Sequence, residues 1–178
     1  GALMSGLVAL DLASNVGVAR FRARGQVPTF DTLRLEGLDL SYKIGQLLAR
    51  LFDEYDSEPF DGLAWERPTL TPKDTVDLIE LLYGLVGACY AFVGLMRQRE
   101  GIHLKWTEVS TDDVKRALCH DLFVFDERLQ KRRKVDKNDM LHAARTTMGW
   151  RVRTDHEADA GGVGMTAFDR FWPRAVAA

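Results

Sequence analysis

A short apolar run near the start of the chain ends in a carboxylate. Residues 7–10 (LVAL) are all apolar, and Asp11 follows them directly. An uninterrupted run of this kind is typical of a strand that is buried on both faces of a sheet. A buried ion without a partner is costly, so such an Asp normally lies beside a cation or a metal. We interpret Asp11 as the centre of a candidate metal site; the alternative is an Asp that caps a turn at Ser14-Asn15.

Length and composition favour one ordinary globular domain. The 178 residues suffice for a substantial core, and we take residues 4–178 as one domain and residues 1–3, which precede the first Met, as a vector remnant. A net charge of −2 gives no global signal for nucleic acid. Cys89 and Cys119 lack a zinc-site spacing, which favours free thiols and a cytoplasmic location. The apolar run at 81–96 is shorter than the roughly 20 residues that cross a bilayer, so no membrane contact is expected.

The first third of the chain predicts three antiparallel strands, a helix and a fourth strand. The largely apolar segment 16–21 follows the polar turn, and residues 29–35 form a third strand candidate. From Asp39 the apolar period becomes helical. Residues 62–65 (GLAW) then predict a buried strand with Glu66 at its carboxyl end, which repeats the arrangement at Asp11. The alternative is a surface pair of Glu66 with Arg67.

The next helix is apolar nearly all round. We expect it to start at Thr71-Pro72, with Thr as the cap, and to run to about Arg99. One face can cover the sheet, and a second copy of the chain is the simplest cover for the other face, with Leu85 and Phe92 expected to face the partner. The alternative is a helix wholly inside one subunit. Three glycines would permit close helix approach: Gly84, Gly87 and Gly94.

Beyond this helix the sequence predicts a strand, two helices and a basic segment. Residues 102–106 are the strand candidate, Ser110 caps one helix, and residues 137–148 form the other. Residues 128–137 contain six basic residues in ten. They form either a solvated face or a phosphate-contacting segment that is mobile without DNA.

The last predicted helix, which begins near Asp155, carries a third group of polar residues. Asp155, His156 and Asp159 share a face through i,i+3 and i,i+4 spacing, whereas Glu157 points away. Acids in a first helical turn also favour the helix dipole, and that is the alternative for Asp155 and Glu157. Glycines at 161, 162 and 164 are tolerable if the backbone lies close to the sheet. Such packing would bring Asp159 against the end of the Asp11 strand.

Four motifs occur in an order and at separations that are fairly specific: LDLASNVGVA (10–19), AWERP (64–68), VKRAL (114–118) and HEADA (156–160). From residue 7 to about 171 the chain resembles the RuvC-type Holliday junction resolvases of the RNase H-like superfamily, in a short, phage-type form. The resemblance implies an α/β fold with a five-stranded mixed sheet, three antiparallel strands first, flanked by helices, and a dimer. It implies four catalytic and metal-site residues, which carry over to Asp11, Glu66, His156 and Asp159.

Two features depart from the family pattern. The family often has Asp where this chain has His156, and Asp155 is an alternative ligand because it can face the same site. The usual Gly-Gly-rich run is absent, and residues 119–134 form a more basic insertion. Junction selectivity is therefore less firmly implied than metal-dependent nuclease activity.

The implied function is hydrolysis of phosphodiester bonds in four-way DNA junctions, in DNA recombination and repair. Carboxylates suit Mg²⁺ or Mn²⁺, and two ions per site would leave 5′-phosphate and 3′-hydroxyl ends. Asp11 is expected to bridge the ions, with Glu66 and Asp159 as flanking ligands and His156 as ligand or proton-transfer partner. The alternatives are an RNase H-like nuclease for other branched DNA or RNA–DNA hybrids, and a non-catalytic DNA-binding module. Basic residues expected to contact DNA are Arg67, Lys73, Lys115, Arg116, Lys131, Arg132, Arg133, Lys134 and Lys137.

Overall fold

The computed structural model describes residues 6–175, and the expected vector remnant at 1–3 lies outside them. The elements in chain order are β1 (Gly6–Asp11), β2 (Asn15–Phe21), β3 (Thr29–Arg34), α1 (Leu40–Ser57), β4 (Phe60–Glu66), α2 (Val76–Glu100), β5 (Lys105–Val109), α3 (Thr111–Cys119), β6 (Phe123–Asp126), β7 (Lys131–Lys134), α4 (Lys137–Thr146) and α5 (Asp155–Phe171).

Five strands form one mixed sheet in the order β3-β2-β1-β4-β5. The first three strands pair antiparallel, whereas β1 pairs parallel with β4 and β4 parallel with β5. The prediction of a five-stranded mixed sheet that opens with three antiparallel strands is confirmed. Because β1 and β4 are parallel neighbours, their carboxyl ends lie at the same edge of the sheet.

Helices cover both faces of the sheet, which explains the uninterrupted apolar run in β1. Leu7 and Ala9 pack into a core formed with α3, α4 and α5. Val8 and Leu10 point to the opposite face and pack with α1 and α2. None of these four side chains is more than 1% exposed, as expected for a strand with two covered faces.

Two predicted boundaries are wrong by a few residues. Helix α2 begins at Val76 rather than near Thr71, because Thr75 is the cap that accepts a hydrogen bond from the Leu78 amide. Strand β5 begins at Lys105 rather than at residue 102. Gly101 ends α2 in the left-handed conformation, and Ile102 and Leu104 then pack into the α1–α2 core before the ladder with β4 begins.

The orientation of α2 corrects the expectation for its partner-facing side. Leu85 and Phe92 are fully buried inside the subunit, so neither can face a second copy. The exposed side instead carries Val76, Tyr83 and Tyr90 at 69%, 56% and 43% exposure. A Cβ at Gly84 would overlap Ile44, so the close approach is to α1 within the subunit. Although α2 is long and apolar enough to cross a membrane, one such helix with a buried face does not indicate a membrane protein.

The basic insertion folds into a second, two-stranded sheet, which the sequence did not predict. Strands β6 and β7 pair antiparallel, with Val124 opposite Arg133. Val124 packs against the helix-covered core, and the next residues after β7 lead into α4. The predicted helix at 137–148 is confirmed, although it ends at Thr146.

Candidate metal centre

Three carboxylates converge at the edge where β1 and β4 end. Asp11 is the last residue of β1, Glu66 is the last residue of β4, and Asp159 lies in the second turn of α5. One carboxylate oxygen from each residue lies within 4.8 Å of the others. Parallel strands place their carboxyl-terminal residues at one edge of a sheet, so the two strand-end acids meet there without any help from loop structure.

The start of α5 packs directly on β2, and this contact brings Asp159 to the site. A Cβ on Gly17 in β2 would overlap the backbone carbonyl oxygen of His156, and a Cβ on Gly164 would overlap the ring of Phe21. Only glycine allows both approaches. Of the three glycines in α5, only Gly164 serves the predicted packing on the sheet. Gly161 instead makes room for the Trp150 ring, and Gly162 for Val114 and Leu118 of α3.

Burial and crowding of charge disfavour ionisation of Glu66 and Asp159. Asp11 and Asp159 are each 7% exposed. Burial, followed by the negative charge of Asp11, raises the pKa of Glu66 to about 8. Burial and the charges of Asp11 and Glu66 raise the pKa of Asp159 to about 8 in the same way. Charge crowding of this kind is a mark of functional sites, because a bound cation would relieve it.

The cluster fits a hard divalent cation. Oδ1 of Asp159 is buried and accepts no hydrogen bond from the described residues, so one carboxylate oxygen is left for a ligand. The donor set is entirely oxygen, which Mg²⁺ and Mn²⁺ prefer. Glu66 keeps a defined orientation because the hydroxyl of Thr111 donates a 2.7 Å hydrogen bond to its Oε1.

His156 and Asp155 occupy different positions, although spacing alone allowed either to face the site. Nδ1 of His156 lies 2.7 Å from Oδ2 of Asp11, and this contact raises the pKa of His156 despite the opposing effect of burial. Asp155 instead accepts a 2.9 Å hydrogen bond from Lys137. Burial opposes ionisation of Asp155, but the Lys137 ammonium outweighs it and the pKa of Asp155 is lowered. His156 therefore contacts the acidic cluster directly, whereas the carboxylate of Asp155 is paired with Lys137.

An open cavity of about 500 Å³ lies over the three carboxylates. Its lining includes three of the predicted DNA-contacting residues, Arg67, Lys115 and Lys137. The side chain of Arg67 is held in place by Glu108, whose Oε2 accepts a 3.3 Å hydrogen bond from the Arg67 Nε. The same cavity is therefore lined by both the three carboxylates and three cationic side chains.

The other predicted DNA contacts lie outside this cavity. Lys73 is exposed in the loop before α2, and Arg116 pairs with Asp113 on α3. In the hairpin, Arg133 is committed to Asp126 and Asp139, at 2.9 Å and 2.6 Å. Three hairpin cations are exposed, Lys131, Arg132 and Lys134, and of these Arg132 pairs with Asp121 at 3.0 Å.

Two residues support the centre in ways that the sequence did not predict, Thr111 through its side chain and Glu157 through its burial. Thr111 follows the cap residue Ser110, and the run of polar residues at the start of α3 was the available signal. Glu157 points away from the centre as predicted, but it is fully buried rather than a solvated first-turn acid. It accepts hydrogen bonds from Thr32 and from the backbone and side chain of Arg153, which fixes the first turn of α5. The i,i+4 spacing of Arg153 and Glu157 could have indicated this pair.

Solved structures with the same architecture include those of RuvC proteins. A structure described as T. thermophilus RuvC in complex with Holliday junction substrate matches with a TM-score of 0.68 over 95% of this chain and 96% of that chain, at 14% identity. The chain has the RuvC fold. A second Thermus thermophilus RuvC structure matches with a TM-score of 0.62, over 93% and 95% of the two chains at 14% identity.

The yeast mitochondrial Holliday junction resolvase Ydc2 shares the RuvC fold with this chain at a TM-score of 0.57 and 14% identity, over 92% of this chain and 77% of that chain. No family model and no curated protein sequence matches the chain. The prediction of an RNase H-like fold of the RuvC type is confirmed, and at this identity the likeness concerns the fold.

Proposed function

We propose that this protein is a divalent-metal-dependent endonuclease that cuts four-way DNA junctions and leaves 5′-phosphate and 3′-hydroxyl ends. The observation that carries the proposal is the cluster of Asp11, Glu66 and Asp159, which is buried, crowded with charge and open to a cavity lined by cations. Structures with the same fold support the choice of substrate, since one is described with a Holliday junction substrate and another as a Holliday junction resolvase.

The three carboxylates would hold two Mg²⁺ or Mn²⁺ ions, with Asp11 between Glu66 and Asp159 and with His156 as the fourth residue of the site. When bound, such ions activate water and stabilise the leaving oxygen in phosphodiester hydrolysis. The interaction with Asp11 lets His156 retain a proton to higher pH than a free histidine, so the ring can hold a proton beside the carboxylate cluster. Thr111 fixes the orientation of Glu66 through its hydroxyl.

The cations of the cavity would position the DNA backbone. Arg67, Lys115 and Lys137 line the same cavity as the carboxylates, so phosphates that they contact lie next to the cluster. Contacts to phosphate fix the register of a nucleic acid without reading its sequence. The lining therefore fits a nuclease that selects its substrate by shape.

A junction cut on two opposed strands needs two sites, and we propose that a second copy of the chain supplies the other. The exposed side of α2 is the surface for this dimer. It presents the exposed side chains of Val76, Tyr83 and Tyr90, and the ring of Tyr90 also packs edge-on against Trp65 and Trp106 of the sheet. An exposed apolar stripe on a long helix is typical of an interface.

The test is a cleavage assay on a synthetic four-way junction beside matched duplex, flap and RNA–DNA hybrid, with Mg²⁺ or Mn²⁺. Wild-type protein should cut the junction in preference to the other substrates. Asp11→Asn, Glu66→Gln and Asp159→Asn should each lower the rate by more than about 100-fold, which exceeds the usual effect of losing a residue that only supports a metal ligand. Junction binding and thermal stability should persist.

Asp56→Asn, on the exposed side of α1, is the matched control and should cut as the wild type does. Full activity in any of the three site variants would remove that residue from the site. Preferred cleavage of the hybrid would favour the RNase H-like alternative. Binding without cleavage of any substrate would favour a non-catalytic module.

A further inference from the structure

The β6–β7 hairpin presents two aromatic rings to solvent. Phe123 and Phe125 are 41% and 59% exposed, and they alternate along β6 with the half-buried Val124 and Asp126. Side chains two residues apart on a strand lie on the same face, so the two rings share the outer face of the hairpin. Exposed phenylalanines carry no polar group that would gain from water, and a pair of them on a strand suggests a binding surface.

The inner face of the same hairpin is firmly attached to the domain. Val124 packs against the core, and the opposite residue, Arg133, donates hydrogen bonds to Asp126 and to both carboxylate oxygens of Asp139 on α4. The Val135 amide also donates a 2.9 Å hydrogen bond to the carbonyl of Leu122. The outward position of the two rings therefore follows from a fixed strand register.

The outer face combines these rings with positive charge. Lys134 lies opposite Phe123 and Arg132 lies opposite Phe125 in the antiparallel ladder. The Arg132 guanidinium lies 5.5 Å from the centre of the Phe123 ring and also donates a 3.0 Å hydrogen bond to Asp121. A ligand that suits this face offers flat apolar surfaces and regularly spaced negative charges, and a single-stranded nucleic acid has both. In a duplex the bases are already stacked and paired, so their faces are not available.

The hairpin adjoins the cavity of the metal centre. The residues that follow β7, Val135, Asp136 and Lys137, all line that cavity. The hairpin is therefore joined directly to one wall of the cavity that would hold the DNA.

We propose that Phe123 and Phe125, together with Arg132 and Lys134, form a stacking platform for unpaired nucleotides. The platform deepens the proposed function and rests on it for the placement of DNA, because branched DNA is the substrate in which bases near the cut lose their partners. Stacking of bases on the two rings does not depend on cleavage. The proposed ligand of this surface is single-stranded nucleic acid, not a protein partner or a second copy of the chain.

The test measures binding without catalysis. Affinities for oligo-dT, for a matched duplex and for a four-way junction with 2-aminopurine beside the branch point are measured in EDTA. The double variant Phe123→Ala/Phe125→Ala should bind oligo-dT roughly 5- to 150-fold more weakly for each ring that stacks on a base. Its affinity for the duplex should change by less than about 2-fold, and the 2-aminopurine signal that accompanies junction binding should be reduced.

Two variants separate stacking from folding and from charge. Phe125→Tyr keeps an aromatic ring and should retain most of the wild-type affinity for oligo-dT. Tyr42→Ala removes an equally exposed ring on α1 and should leave the affinity for oligo-dT unchanged. Arg132→Gln/Lys134→Gln should lower the salt dependence of oligo-dT binding by up to about 0.7 log units for each phosphate that is no longer bound, and the phenylalanine variants should leave it unchanged.

The outcomes for platform and nuclease are distinguishable. Equal loss of duplex and oligo-dT affinity in the double alanine variant, or loss of neither, would overturn the platform, as would a change from dimer to monomer with unaltered DNA binding. A wild type that cuts no junction, while the double variant still loses oligo-dT binding, would overturn the nuclease proposal and support the platform.

Discussion

Burial, followed by the negative charge of Asp11, raises the pKa values of Glu66 and Asp159 to about 8, and this links the stability of the metal-free protein to pH. In the unfolded chain these groups ionise near their ordinary values of 4.5 and 3.8. Between those values and about 8 the folded state holds protons that the unfolded state has released. The free energy of unfolding that depends on these two groups is therefore highest in acid, and it falls as the pH rises toward 8.

Asp159→Asn removes one of the repelling charges, so its metal-free thermal midpoint should fall less than that of the wild type between about pH 5 and about pH 8. A change of 1 kcal/mol corresponds to about 2–4 °C in a chain of this size, which scanning calorimetry resolves. Mn²⁺ added at the higher pH should raise the midpoint of the wild type more than that of the variant. Asp56→Asn is the control, and parallel pH curves for the wild type and Asp159→Asn would contradict the prediction.

Substitutions of His156 and of Asp155 should have different effects on cleavage. His156 contacts Asp11, whereas Asp155 is bound to Lys137, so His156→Ala should lose most cleavage and Asp155→Ala should be mild. His156→Asp should retain activity with a shift in preference from Mn²⁺ toward Mg²⁺, because hard cations prefer oxygen over imidazole. Cleavage rates in titrations of each metal provide the measurement. If Asp155→Ala is inactive while His156→Ala cuts normally, the two roles must be exchanged.

Among the elements, those with both faces covered were predictable from the sequence. Strands β1 and β4 have continuous apolar runs that end in acids, and a parallel pair brings those ends together. Helix α2 shows the limit of this reasoning. Because it is apolar nearly all round, its sequence does not specify which side packs on the sheet, and Leu85 and Phe92 were placed on the wrong side.

The hairpin was not predictable because its turn lacks the usual sequence signals. Gln130 adopts a positive φ of 50°, where glycine or asparagine is more common, and Asp126 stabilises the turn by accepting a hydrogen bond from the Leu129 amide. The register depends on tertiary contacts of Arg133 with α4, which no local pattern specifies. For the same reason, the sequence could not separate a phosphate-binding cation from a structural one.

Substitutions within β7 can distinguish cations that bind phosphate from cations that hold the fold together. Arg133 links β7 to Asp126 and Asp139, so Arg133→Gln should lower the thermal midpoint. Lys131→Gln/Lys134→Gln should leave the midpoint unchanged and reduce the slope of log affinity against log salt for junction binding by up to about 0.9 for each phosphate that is released. The measurements are thermal denaturation and binding over a range of salt. An unchanged slope in the double lysine variant would show that these side chains are solvated and do not contact phosphates.

At the level of the whole molecule, the proposed dimer through α2 would determine whether the two cuts in a junction are paired. Gly87 lies on the exposed side of the helix, and a Cβ there meets nothing within 4 Å in the subunit. Replacing a helical glycine also favours the helix itself, so Gly87→Glu should not impair folding of the subunit. A charge at the interface should instead favour monomers, as should Tyr83→Glu on the same exposed side.

Sedimentation at micromolar concentration should show a dimer for the wild type and monomers for Gly87→Glu and Tyr83→Glu, with Tyr42→Glu on α1 as a dimeric control. The monomers keep the carboxylate cluster, because Asp11, Glu66 and Asp159 all come from one chain. We therefore expect them to nick one strand of a junction while losing the paired second cut, which a supercoiled cruciform plasmid reports as nicked rather than linear product. A wild type that sediments as a monomer yet linearises the cruciform plasmid would show that paired cutting does not require this interface.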